Sequence, residues 1–149
     1  MRVLLVSHNA LPHHRAGVET YTHQLAQELG RRHEVTVATT RKVISLATGT
    51  TRTYQHEGVN TLEVVHNLDG DDVASTWHNP VMERAFEDVL SATRPDVVHF
   101  QHVMYWSARL PALAAARGAR RVFTLHDFFL MCARMGQLID YRGSSCEGP

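Results

Sequence analysis

Three histidines stand where apolar runs give way to polar residues. Ser7-His8 follows Val3 to Val6, Gln101-His102 closes the run from Asp96, and His126-Asp127 follows Arg121 to Leu125. An imidazole titrates near pH 6.5, so it can donate, accept or move a proton at neutral pH, or hold a hydroxyl in place. Any one of the three is explained by a polar strand end that tolerates histidine. Three together invite a ligand. The segment from His8 to Gly17 (His-Asn-Ala-Leu-Pro-His-His-Arg-Ala-Gly) has one glycine and lacks G-x-G-x-x-G, which leaves a nicotinamide or flavin dinucleotide poorly supported. Gly17 nevertheless falls where a helix should begin. Free amides and the helix dipole there favour a phosphate or carboxylate, and the absent side chain allows close approach. The alternative is a helix start with no ligand. Glu19, in the first turn, is accounted for by the dipole alone.

The chain carries eleven histidines, and metal binding is the competing use for them. His13 and His14 are adjacent, while His99 and His102 are three apart, on opposite faces of a strand. Cys132 and Cys146 lack the C-x-x-C pairing of structural zinc sites and read as reduced thiols. No metal is expected. Trp77, Trp106 and Tyr105 are isolated aromatics, suited to packing or to lining an acceptor groove.

The elements that must position these residues alternate in type. Val3 to Val6 is a continuous apolar run, as in a strand buried on both faces. A helix is predicted from Gly17 to about Arg31, with Val18, Tyr21, Leu25, Ala26 and Leu29 on one face. Glu34 to Thr39 and Thr61 to His66 are the next strands, and Thr40 to Gly58 between them gives no firm assignment. Asn79-Pro80 starts a helix whose Met82, Phe86, Val89 and Leu90 share a face. Asp96 to Gln101, a short helix at Leu110 to Arg117, and Arg121 to Leu125 complete the pattern. Strand–helix alternation implies an α/β, Rossmann-like doubly wound parallel sheet. In such sheets ligands bind beyond the carboxyl ends of the strands, where the first, fourth and fifth strands should lie side by side.

Composition sets bounds. The 149 residues suit one domain or most of one, and 44% hydrophobic with 20% charged residues argues against disorder. Fifteen basic and fifteen acidic side chains cancel, so the basic surface of a nucleic-acid module is not expected. Fourteen of the fifteen basic residues are Arg, with Lys42 the exception, which reads as a coding bias. With no signal peptide and no run of about 20 apolar residues, a cytoplasmic location is expected. No basic amphipathic helix supports membrane association. After Asp127 no closing strand or helix follows, so the domain reads as cut short at its carboxy end.

Several segments together resemble a known family. Met1 to Ser7 (Met-Arg-Val-Leu-Leu-Val-Ser), Ala16 to Leu29 (Ala-Gly-Val-Glu-Thr-Tyr-Thr-His-Gln-Leu-Ala-Gln-Glu-Leu), His33 to Thr39, Pro95 to His102 and Phe123 to Cys132 match in order and spacing the amino-terminal domain of family 4 glycosyltransferases of the GT-B fold. The resemblance implies that residues 1–149 are the acceptor-side half of a two-domain enzyme whose carboxy-terminal, donor-binding domain is absent. It implies a retaining transfer from a nucleotide-sugar donor to a glycan, lipid or small-molecule acceptor, with no cofactor and no obligate metal. Ala16 and Gly17 would correspond to the family's Gly-Gly loop, with Ala replacing the first Gly. His126 would be the catalytic cleft histidine that contacts the transferred sugar, with Asp127 beside it and His102 lining the cleft. The donor-side acidic pair and basic residues would lie in the second domain, so the 149-residue chain alone should transfer no sugar. The alternatives are half of a sugar-nucleotide epimerase, a freestanding sugar- or phosphate-binding module, and a metal-dependent hydrolase.

Overall fold

The computed structural model describes residues 1–68, 74–76, 78–132, 138–139 and 142–145. Six strands form one sheet: β1 (Arg2–Val6), β2 (Glu34–Arg41), β3 (Thr51–His56), β4 (Val59–Val65), β5 (Val97–Phe100) and β6 (Arg120–Phe123). Their order is β3-β4-β2-β1-β5-β6. All neighbours are parallel except β3 and β4. The architecture is the expected α/β, Rossmann-like sheet, and β1, β5 and β6 are indeed adjacent.

Both faces are covered. Along β1, Val3 and Leu5 turn to one face and meet Ala26, Leu25 and Leu29 of α1 (Gly17–Gly30). Leu4 and Val6 turn to the other and join Met82, Phe86, Val89 and Leu90 of α2 (Pro80–Thr93) and Leu110 and Ala114 of α3 (Leu110–Ala116). Period-two alternation between two covered faces thus explains why Val3 to Val6 of β1 are all apolar. Each fully buried aliphatic side chain contributes about 1.5–3 kcal/mol. Asn79 caps α2, its side-chain oxygen accepting from the Met82 amide at 3.2 Å, with Pro80 at the first position. Among the described residues no helix is long and apolar enough to cross a membrane.

Two features depart from the sequence reading. The unassigned stretch holds β3, antiparallel to β4 across a turn in which Glu57 (φ 46°) and Gly58 (φ 81°) are both left-handed. That pair of conformations makes the tight hairpin turn that matches strand twist. The inward face of α1 is also rotated from the predicted stripe. Glu19, Thr22, His23 and Ala26 are buried, whereas Tyr21 is 43% exposed.

Candidate functional site at the strand carboxyl ends

The strand ends are held before any side chain acts. The Ser7 amide donates to the Ala38 carbonyl at 3.0 Å, and the amides of Gln101 and His102 donate to the Val6 carbonyl at 2.8 and 3.3 Å. Trp106, 1% exposed, donates from Nε1 to the Ser7 carbonyl at 2.9 Å, and Thr40 Oγ1 donates to the His8 carbonyl. The loops leaving β1 and β5 therefore start from anchored points.

On this frame the three strand-end histidines converge. The rings of His8 and His102 are 4.5 Å apart between centroids. The Met104 amide donates to His102 Nδ1 at 3.0 Å, so the ring proton sits on Nε2 and is donated to Asp127 Oδ2 at 3.1 Å. Asp127 Oδ1 accepts from the Phe129 amide at 2.9 Å. His102, 4% exposed, thus uses both nitrogens within the chain and orients Asp127. It offers a ligand no vacant nitrogen. His126 is more open. Its Nε2 donates to the amide oxygen of Gln101 at 2.9 Å, which leaves Nδ1 as a lone-pair acceptor. Tyr21, one turn into α1, meets the His126 ring edge-on at 4.9 Å.

Glu19 does more than complement a dipole. It is 1% exposed, with Oε1 3.3 Å from His8 Nε2 and 3.1 Å from His14 Nδ1. Neither contact has hydrogen-bond geometry, so both carboxylate oxygens are buried without such a partner among the described residues. The sequence signal was present, since 19, 22, 23 and 26 share one helical face. Polar residue types concealed it. Gln101 and Tyr21, which hold His126, carry no sequence signal that marks them as site residues.

Burial favours the neutral imidazole at His8, His126 and His99. It lowers the pKa of His8 to about 4, helped by His102 and opposed by Glu19. Burial and then His102 lower His126, against the pull of Asp127. His99 is lowered by burial and by His126. For Asp127 burial acts upward, but the Phe129 amide and His102 hold its pKa below the ordinary value. The sign for His8 follows from linkage. The unfolded chain binds a proton near pH 6.5 while the folded chain resists until about pH 4, so stability is full above pH 6.5 and falls with acidification through that window. His8 alone should remove about 2 kcal/mol between pH 7 and pH 5. Urea denaturation at the two pH values should show this loss, and His8→Gln should flatten the difference by a similar amount. An unchanged pH dependence in the variant contradicts the assignment.

Ala16 and Gly17 lie exposed at the start of α1, where Ala16 occupies the cap position with no side-chain hydrogen bond. A Cβ built on Gly17 meets nothing within 4 Å among the described residues, and its φ lies outside the left-handed region. Neither packing nor backbone strain calls for glycine there. Close approach of a ligand would.

The other candidates disperse. His99 Nε2 bonds Thr124 Oγ1 at 2.8 Å, and His13 packs edge-on against Tyr54 at 5.3 Å. Tyr105 approaches His8 and His66 with ring centroids 6.2 and 6.1 Å apart. Trp106 is core. Cys132 is half-buried, while Cys146 and Trp77 lie outside the described residues. The space enclosed by Gln101, His126, Asp127 and Phe129 is only about 10 Å³, whereas a groove of about 600 Å³ opens at the opposite end beside Arg2, Arg94 and Arg117. The strand carboxyl ends remain the better site on chemistry, because the convergent imidazoles and the open helix start are there. The Arg groove is the cleft left between helix and strand ends.

No curated protein sequence matches the chain. Among solved structures, sucrose-phosphate synthase from Thermosynechococcus elongatus superposes with a TM-score of 0.62 at 13% identity, covering 86% of this chain and 33% of that one. At such identity the likeness is one of fold, and this chain spans about a third of that protein. The family model described as Glycosyltransferase Family 4 matches residues 15–144, which includes α1, the strand-end histidines at 102 and 126, and Asp127. The chain belongs to Glycosyltransferase Family 4.

Proposed function

We propose that this domain is the acceptor-side half of a retaining glycosyltransferase that moves a sugar from a nucleotide-sugar donor to a glycan, lipid or small-molecule acceptor. The observation that carries the reading is the contact of α1 with His126 through Tyr21, one turn beyond Gly17, at 4.9 Å. One locus thereby offers an uncapped helix start for a diphosphate and a neutral imidazole for a sugar. Transfer demands stabilisation of a departing diphosphate and of an oxocarbenium ion. The amides at Gly17 serve the first. His126 Nδ1 accepts from a sugar hydroxyl and fixes the ring, while Gln101 fixes the imidazole. Asp127, oriented by His102, adds negative potential beside the developing cation.

The account makes Gly17 a ligand-facing residue. Gly17→Ala should leave the thermal midpoint within about 2 °C, since the added methyl meets no neighbour, yet weaken donor binding about tenfold or more. Calorimetry on the complete enzyme with the nucleoside diphosphate product reads both effects, and undiminished affinity removes Gly17 from the site.

A space of about 10 Å³ beside His126 cannot enclose a sugar. Exposed Leu125 and Leu130 flank it and offer a surface for a second domain to close on. The experiment is to measure the intact mass of the native polypeptide and assay it beside the 149-residue chain. A polypeptide more than twice as long, with a second alternating domain carrying paired Glu residues, supports the reading. A native chain ending at Pro149 favours a binding module, and turnover of a nucleotide sugar by the 149-residue chain alone contradicts the division of labour.

A further inference from the structure

A second cluster lies away from the strand carboxyl ends, where the middle of α1 crosses the turn between β3 and β4. His23, on the inward face of α1 and 8% exposed, places Nε2 3.1 Å from Glu57 Oε2. His56, the last residue of β3, places Nε2 3.8 Å from Glu57 Oε1. That is too long for a hydrogen bond, and His56 Nε2 is buried with no hydrogen-bond partner among the described residues. The His23 and His56 rings are 5.4 Å apart between centroids. One ligand atom from each of the three residues lies within 4.8 Å of the others.

We propose that His23, His56 and Glu57 form a binding site for a divalent transition metal of the zinc class, tying α1 to the β3–β4 turn. Two imidazoles and one carboxylate are a donor set that zinc takes in tetrahedral sites, with a fourth position left to water. Tetrahedral ligands about 2.0 Å from the ion stand about 3.3 Å from one another. The two distances to Glu57 bracket that value, and the largest separation closes by side-chain rotation. Glu57 is free to adjust, being 60% exposed. The backbone is already fixed: Gln27 Nε2 donates to the Glu57 carbonyl at 3.2 Å, and the left-handed Glu57–Gly58 turn aims the carboxylate back at α1. A bound ion gives the orphaned His56 nitrogen its partner and makes Glu57 a shared ligand. Sequence spacing conceals the set because His23 and His56 are 33 residues apart.

The site is at the amino end of β4, opposite the end of the sheet that carries His126, so its role is to brace the fold. Titration of chelator-treated 149-residue chain with zinc ions by calorimetry is expected to show one saturable equivalent. The thermal midpoint should rise by about 5 °C or more at zinc about a hundredfold above Kd. His56→Gln and Glu57→Gln, both at the turn and outside the core, should each weaken binding at least about tenfold, and the double variant should lose the saturable site while keeping its circular dichroism spectrum. His23 is left intact because its burial would confound folding with binding. Absence of a saturable equivalent overturns the proposal, as does zinc affinity undiminished in the double variant.

Discussion

Replacing His126 by alanine in the complete enzyme is expected to lower kcat/KM about 100-fold or more, the scale on which loss of a positioning contact acts. Nδ1 is the ring atom left to accept from a sugar hydroxyl, because Nε2 is committed to Gln101 at 2.9 Å. Asparagine places an amide oxygen close to the position of Nδ1, whereas glutamine reaches toward Nε2. His126→Asn should therefore recover about tenfold over alanine, and His126→Gln should recover less. Most of the loss should fall on kcat, since a ring held for reaction matters most in the transition state. Steady-state kinetics on the three variants separates these outcomes. Rates equal to the wild-type rate in all three would mean that His126 does not touch the reacting sugar.

Removing the Trp106 side chain is expected to have the largest effect on stability, about 4 kcal/mol for Trp106→Ala. The indole is 1% exposed, packs against Phe86 with centroids 5.9 Å apart, and donates to the Ser7 carbonyl at 2.9 Å. Alanine leaves a cavity and an unpartnered buried carbonyl one residue before His8. Trp106→Phe keeps most of the apolar contact and loses the hydrogen bond, so about 1–2 kcal/mol is expected. Urea denaturation of both variants checks the pair. A phenylalanine variant as unstable as the alanine one would make the hydrogen bond to Ser7, not apolar burial, the dominant contribution.

What could be read from residues alone follows from how each element is held. Val3 to Val6 of β1 are all apolar because both faces are covered, and such a continuous run says so directly. The strand ends were therefore legible, and with them the convergence of His8, His102 and His126. β3 was not, because an edge strand paired on one side can be polar along its length. Thr51 to Thr53 are all exposed. The orientation of α1 was misread because three of its four buried residues, Glu19, Thr22 and His23, are polar. The Glu19 contacts with His8 and His14 depend on that rotation and on the path of the loop before Gly17, neither of which spacing reveals. The zinc-class cluster shares this limit, joining a helix to a turn that only the hairpin brings near.

The proposed reaction is transfer with retention at a cleft that includes His126. It is tested most directly by proton NMR of the glycoside formed by the full-length protein from a nucleotide-sugar donor of known anomeric configuration. The expected product has the donor's configuration, with one nucleoside diphosphate released per bond formed, at a rate about 100-fold lower in His126→Ala. An inverted product, or an undiminished rate in that variant, would contradict it.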